Sequence, residues 1–174
     1  MVKIYILSRY IITIMTRVLI VYHSKTGNTE KMAKAIEEGV NSSGVESILK
    51  RVEDASIDDL EGIDGLILGS PTYFGTMSAE MKKFIDESVK KRKKLENKIG
   101  AAFASSNFVS GGNETTIMSL IQALLVHGMV VAGDPIEGGG GHFGVVSIKA
   151  PDEKTLESCR KFGRRIGELA AKLS

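Results

Sequence analysis

Six consecutive residues, Ser24, Lys25, Thr26, Gly27, Asn28 and Thr29, supply three hydroxyls, one amide and a glycine between an apolar run and a helix-like stretch. Backbone N–H groups at a helix start have no intrahelical partner and lie at the positive end of the helix dipole. With hydroxyls beside them, they can wrap a phosphate without any basic side chain. The same residues also read as an ordinary polar turn, capped by Thr29 or Asn28. No Gly-x-x-x-x-Gly-Lys-Ser/Thr is present, and no Gly-x-Gly-x-x-Gly follows the first good apolar run. Neither a nucleoside-triphosphate loop nor a dinucleotide fingerprint is therefore supported.

Two further segments carry chemistry. The first is Ser70, Pro71, Thr72, Tyr73, Phe74, Gly75, Thr76, Met77 and Ser78. Proline stiffens such a loop and glycine permits a close backbone approach. Tyr73 and Phe74 offer flat faces to an aromatic ligand; a hydrophobic staple for the next helix would occupy only one of them. The second is Ser105, Ser106, Asn107, Phe108, Val109, Ser110, Gly111, Gly112, Asn113 and Glu114. It reads as a ligand-binding loop or as a flexible glycine turn.

The elements that must position these loops follow from hydrophobic patterning. RVLIVY at 17–22 lacks polar alternation, which suits a strand buried on both faces. A helix is expected over 30–40, ended by Asn41, Ser42, Ser43 and Gly44, and a more polar strand, nearer an edge, over 45–52. Strands follow at 65–69 and 99–104, with helices at 78–89 and 114–127, the latter stopped by Gly128. Residues 129–132 begin a fifth strand that 145–148 complete or flank. Asp152 caps a last helix with Leu156, Cys159, Phe162, Ile166, Leu169 and Leu173 on its apolar stripe. Such alternation predicts a parallel sheet covered by helices on both faces. Ligands of such sheets bind at the carboxyl ends of the strands, near the switch in strand order.

The residues now carry a resemblance. Ile20, Val21, Tyr22, His23 and the loop 24–29, followed by Ala33 and Ile36, resemble the flavodoxin phosphate signature, whose loop binds the terminal phosphate of flavin mononucleotide (FMN). Segment 70–78 resembles the Pro-Thr-x-Phe-Gly loop of the tryptophan-repressor-binding-protein group, flavodoxin-like NAD(P)H:quinone oxidoreductases in which it lies beside the isoalloxazine ring. Segment 105–114 is similar to that group's third loop, whose amides bond the pyrimidine edge of the flavin. His127-Gly128-Met129 and the run 138–144 with Phe143 resemble it too. The chain departs from the group at Tyr73, often arginine there, at Thr76, often asparagine, and in a shorter stretch 53–64. Those departures bear on tetramer formation and quinone specificity, and simple electron-carrier flavodoxins stay close.

The resemblance implies a flavodoxin-like three-layer α/β sandwich with a five-stranded parallel sheet over 17–174. It implies FMN bound by Ser24, Lys25, Thr26, Gly27, Asn28, Thr29, Pro71, Thr72, Tyr73, Phe74, Gly75, Ser105, Ser106, Asn107, Phe108, Gly111 and Gly112. No side chain is assigned as acid, base or nucleophile, because a bound cofactor would carry the chemistry. The expected partners are NAD(P)H and a quinone, or a redox partner protein if the chain is an electron carrier. A fold that has lost its flavin is the third reading.

Composition narrows the rest. Hydrophobic residues make up 43% and charged residues 25% of the 174, the balance of one soluble domain, and a net charge of +2 does not argue for nucleic acid. One cysteine excludes an intrachain disulfide and a multi-cysteine metal site, and fits a reducing, cytoplasmic setting. Three scattered histidines make no metal site. Residues 1–16 are apolar but broken by Ser8, Arg9 and Thr13, too short for a span and without a small-residue cleavage site. They read as a non-essential extension or, alternatively, a weak membrane-surface segment. The run Lys90, Lys91, Arg92, Lys93, Lys94 reads as a solvated helix end, with acidic-partner docking as the alternative. His127 is placed at a helix C-terminus that favours its charged form, with a place near the flavin as the reading the resemblance suggests. A homo-oligomer is compatible with all of this.

Overall fold

The fold was determined as a computed structural model, which describes residues 2–7 and 10–174, with side chains from residue 15 onward. β1 (Val2–Leu7) and β2 (Tyr10–Met15) pair antiparallel with each other as a separate two-stranded sheet. Sequence reading expected no strands there. Its membrane-surface alternative turns on side chains of residues 1–14, which lie outside the described ones.

The main sheet starts with β3 (Arg17–Tyr22), then β4 (Glu46–Arg51), β5 (Gly65–Pro71) and β6 (Ile99–Ser106). Its last position is shared by two short strands, β7 (Val130–Val131) and β8 (Val145–Ile148). β7 pairs with the start of β6, Ile99 opposite Val130, and β8 with its end, Phe103 opposite Val145. They are two halves of one edge strand, split by the glycine-rich segment 132–144. All neighbours run parallel, in the order β4-β3-β5-β6 and then β7 and β8. Counted from β3, this is order 2-1-3-4-5, with the switch point between β3 and β5. The polar β4 lies at an edge, as its pattern suggests.

β3 shows why the sheet is covered twice. Val18 and Ile20 point into a core with α1 (Asn28–Ser42) and α4 (Glu153–Leu173). Leu19 and Val21 point into a second core with α2 (Ala79–Ser88) and α3 (Asn113–Val126). All four are fully buried, so an unalternating apolar run is what the position requires. Ser78 caps α2 by accepting from Met81 N–H, and Asp152 caps α4 by accepting from Thr155 N–H. Gly128, at φ 75°, follows the C-cap of α3.

The basic run folds as a 3-10 turn, Val89–Lys94, continuing α2. Lys91 pairs there with Asp58 and Glu61 at 2.9 and 2.7 Å. Among the described residues, no helix is long and apolar enough to cross a membrane.

Candidate functional site

β3, β5 and β6 end side by side, so the three loops that follow them share one end of the sheet. The first passes from β3 into α1. Gly27 occupies the N-cap at φ 87° and, as a glycine, offers the helix no side-chain cap of its own. Open space surrounds the position a Cβ would take. Ser24 turns inward: its hydroxyl accepts from the Gly27 and Glu30 N–H groups at 3.1 and 3.3 Å. It shapes the loop, while Lys25, Thr26 and Asn28 face outward. Thr29 is buried and shares a 2.9 Å hydroxyl contact with Ser105, tying the first loop to the third.

The second loop contains a tight hairpin. Tyr73 and Thr76 exchange backbone hydrogen bonds of 3.0 and 3.2 Å around Phe74 at φ 50° and Gly75 at φ 78°. Two positive φ values in succession define a type I′ turn, a strained choice for phenylalanine. Phe74 stands fully exposed at its tip. α3 holds this hairpin from below. Thr115 donates to the Gly75 carbonyl at 2.6 Å and Thr116 to the Thr72 hydroxyl at 3.0 Å.

In the third loop, Ser106 donates to the Phe108 carbonyl at 3.0 Å. Gly112, at φ 90°, is the N-cap of α3, again without a side-chain cap. A Cβ there would come within 2.9 Å of Gly75 Cα, so glycine lets the second and third loops touch.

Between the loops lies a cleft of about 230 Å³. Its twelve lining residues are Lys25, Thr26, Asn28, Thr29, Pro71, Thr72, Tyr73, Ser105, Ser106, Asn107, Phe108 and Gly111. All twelve are among the residues that the sequence proposes for FMN. Ser24, Gly27, Phe74, Gly75 and Gly112, also proposed, do not line it; they shape or brace its walls. The cleft has two chemically different ends. One is a helix start with Thr26, Asn28 and Lys25, which suits a phosphate dianion. The other has Tyr73 and Phe108 as aromatic walls and Gly111 as a close backbone approach, which suits a flat ring system. FMN joins those two chemistries in one molecule, and the residues present fit it. Among the described residues, Lys25 is the only charged one lining the cleft, and no carboxylate does.

Sequence reasoning missed the residues that support this cleft from a distance. Arg51, at the end of β4, donates to the Ser24 carbonyl at 2.7 Å and holds the first loop down. It also pairs with Glu30 and Glu53, and its guanidinium lies 5.9 Å from the Tyr22 ring centroid. His23, for which the sequence suggested no role in the site, is buried at 6% exposure, with its ring edge-to-face with Tyr73 at 6.1 Å. Burial, and then Glu80, raises the Tyr73 phenol above its ordinary range, so it stays protonated near neutral pH. A polar residue closing an apolar strand before a glycine loop was the available signal for His23. Nothing local marked Arg51.

His127 stands at the helix C-terminus where the sequence reading places it, but its charge and its distance from the cleft correct that reading. It is the C-cap of α3, whose 14 residues put it about 20 Å from the helix start that meets the cleft. Its Nε2 lies 2.8 Å from the Ser88 hydroxyl, which itself donates to the Ile85 carbonyl, so Nε2 carries the proton. Nδ1 is buried without a partner. Burial, helped by Arg92, lowers its pKa and favours the neutral ring, against the charged form expected at a helix C-terminus. Cys159 packs in the α4 core as expected, and burial pushes its thiol up to about 12. Among the described residues, no group of three His, Cys, Asp or Glu could hold a metal ion.

Known proteins match this arrangement. The family model for NADPH-dependent FMN reductase matches residues 54–138. An NAD(P)H dehydrogenase (quinone) from Archaeoglobus fulgidus is 35% identical over 91% of this chain and all of its own length. A flavodoxin from Clostridium saccharobutylicum is 40% identical over 86% of this chain and 94% of its own. Among solved structures, the WrbA-like flavodoxin from Agrobacterium tumefaciens superposes with a TM-score of 0.79 at 27% identity, covering 91% of this chain and 99% of that one. An archaeal flavodoxin superposes at 0.76 with 29% identity, covering 90% and 99%.

Proposed function

Since the chain belongs to the flavodoxin-like FMN oxidoreductases, with FMN as its cofactor, we propose that it passes electrons from NAD(P)H through FMN to a quinone-type acceptor. The observation that carries this reading is the cleft's charge. Twelve of the described residues line it, none of them a carboxylate, and Lys25 is cationic. Negative charge gained on reduction meets no like charge on those walls, so full two-electron reduction is favoured. When bound, FMN supplies the hydride and electron chemistry.

The chain's own residues do the holding. The start of α1, with Thr26 and Asn28, binds the phosphate end, and Arg51 keeps that loop in shape through the Ser24 carbonyl. Tyr73 and Phe108 flank the ring end, and the I′ hairpin braced by Thr115 keeps Tyr73 in position. The phenol of Tyr73 is not assigned as an acid. The two-stranded N-terminal sheet is dispensable to this site, so a chain starting at Met15 keeps its FMN content. Self-association through the face bearing exposed Val89, Leu125 and Val126, and a cytoplasmic location, complete the proposal.

Anaerobic titration of the purified holoprotein with NADH and NADPH, followed by benzoquinone, tests it. Rapid bleaching by a nicotinamide and reoxidation by the quinone is the expected result. Stable one-electron reduction with no response to either nicotinamide would instead make the chain an electron carrier between protein partners.

A further inference from the structure

His23 is the last residue before the phosphate loop, yet its side chain serves another part of the site. It is buried, with Nε2 3.5 Å from Glu53 and Nδ1 3.6 Å from Glu80. Both distances are longer than a good hydrogen bond, and Nδ1 has no hydrogen-bond partner among the described residues. Glu53 follows β4, and Glu80 lies in the first turn of α2. Both carboxylates are about half exposed, so the imidazole is the buried member of the trio. The edge of its ring meets Tyr73, with the two planes at 74°. Tyr73 in turn lines the cleft and is one of the two hydrogen-bonded ends of the I′ hairpin. Three separate segments thus converge on one imidazole directly behind a cleft wall.

We propose that His23 is a positioning residue for the flavin: the imidazole, held between Glu53 and Glu80, braces the Tyr73 ring that walls the ring end of the cleft. The inference rests on the reading that FMN occupies this cleft. Tyr73 is more than one-third exposed and belongs to a hairpin whose tip, Phe74, has no cover at all. Backbone bonds of the hairpin fix where the Tyr73 Cα lies but leave its ring free to rotate about χ1 and χ2. An edge-to-face neighbour on the buried side removes that freedom. The carboxylates on opposite edges of the imidazole do for His23 what His23 does for Tyr73. Arg51, 3.5 Å from Glu53, limits how far that carboxylate can swing away.

The chain of contacts makes a specific non-additivity prediction. An edge-to-face aromatic contact of ordinary strength corresponds to a change of about two- to ten-fold in an equilibrium constant. His23→Leu should weaken FMN binding about three- to ten-fold and alter the visible circular dichroism of the bound flavin. In a Tyr73→Ala background, the same substitution should change FMN affinity less than two-fold and leave the spectrum as it is. Glu53→Gln combined with Glu80→Gln should shift the spectrum in the same direction as His23→Leu, by less. Should His23→Leu fail to fold, judged by melting of the FMN-free protein, His23→Gln replaces it in both backgrounds. Equal effects of the His23 substitution with and without Tyr73 would overturn the proposal. No effect of the His23 substitution in the parent would overturn it as well. A Tyr73→Ala chain with parental affinity and spectrum would overturn the placement of the flavin against Tyr73 itself, and with it the brace.

Discussion

The two helical faces of the sheet are built differently. On one, α1 and α4 approach until backbone meets backbone. A Cβ on Gly39 would run into the Arg160 carbonyl, one on Gly163 into the Ile36 carbonyl, and one on Gly167 into the Ser43 side chain. On the other, α2 and α3 leave a groove of about 500 Å³ floored by Met77, Ile85, Val89, Ala123 and Val126. The cofactor loops divide along the same line. The proposed phosphate loop runs into α1, on the tight face, whereas the two loops proposed to flank the ring run into α2 and α3, on the open one. The end proposed to hold a charged, geometrically demanding phosphate thus sits on the closely packed layer. The end proposed to contact the ring, where substrates would come and go, sits on the layer with the groove.

The largest expected effect breaks the tight face. Gly163→Val should separate α1 from α4 and cost about 3 kcal/mol, at the upper end of overpacking changes, or a Tm loss of roughly 6–12 °C. The matched change on the open face, Ala123→Leu, has a groove to fill and should stay within about 1 kcal/mol of the parent. Thermal melts of the two variants side by side check the contrast. Similar losses in both would mean that the faces do not differ in tolerance.

A second prediction separates the two ends of the cleft. Riboflavin is FMN without the phosphate. Thr26→Ala should weaken FMN binding roughly ten-fold or more, the range for a lost hydrogen bond to a charged group of about 1.5–3 kcal/mol. Riboflavin affinity should change less than two-fold. Lys25→Ala should cost less than Thr26→Ala, because helix N–H groups and hydroxyls hold a phosphate without a cation. Fluorescence titration with both flavins measures all of these. Equal affinity of the parent for FMN and riboflavin would remove the phosphate assignment.

The strands and helices themselves were more legible in the sequence than the contacts that tune the site. The β3 run, the Gly128 stop and the Asp152 cap mark their elements through local chemistry, and each appears where local chemistry puts it. Motif residues at 24–29, 70–75 and 105–112 cluster because parallel strands deliver their carboxyl ends to one rim, a consequence of topology alone. Arg51, Thr115 and the His23 trio act across 27 to 57 residues of chain, as in Arg51 to Ser24, Thr115 to Gly75 and His23 to Glu80. No spacing rule links such pairs, so only the assembled sheet reveals them. His127 failed for the related reason that a helix-dipole argument holds for exposed ends, and this end is buried under Ser88.

The smallest expected effect tests whether the tight face is uniformly well packed. Asp134 lies in the segment that splits the edge strand, is 1% exposed, and accepts from the Gly141 N–H through Oδ2 at 2.9 Å. Its Oδ1 is buried with no partner. Glycines at 138, 139 and 141 surround this carboxyl so closely that a Cβ on any of them would come within 3.0 Å of one of its oxygens. Burial raises its pKa above the ordinary carboxylate range, against smaller opposing effects of the Gly141 bond, Arg165 and His142. A carboxyl raised in the folded state binds its proton more tightly there than in the unfolded chain. Its stabilising contribution is complete below the unfolded value of about 3.9 and is lost as pH rises through the raised native value. At pH 8 the ionised group therefore costs stability. Asp134→Asn keeps an oxygen for the Gly141 N–H and removes the charge. It should raise Tm at pH 8 by about 2–4 °C, equivalent to ~1 kcal/mol, and the gain should shrink as pH falls and vanish only by about pH 3, where both states of the parent are largely protonated. Melting curves of parent and variant across that range measure the difference. A variant less stable than the parent at pH 8 would mean that the ionised carboxylate is well satisfied, and that the tight face has no weak point where the edge strand is split.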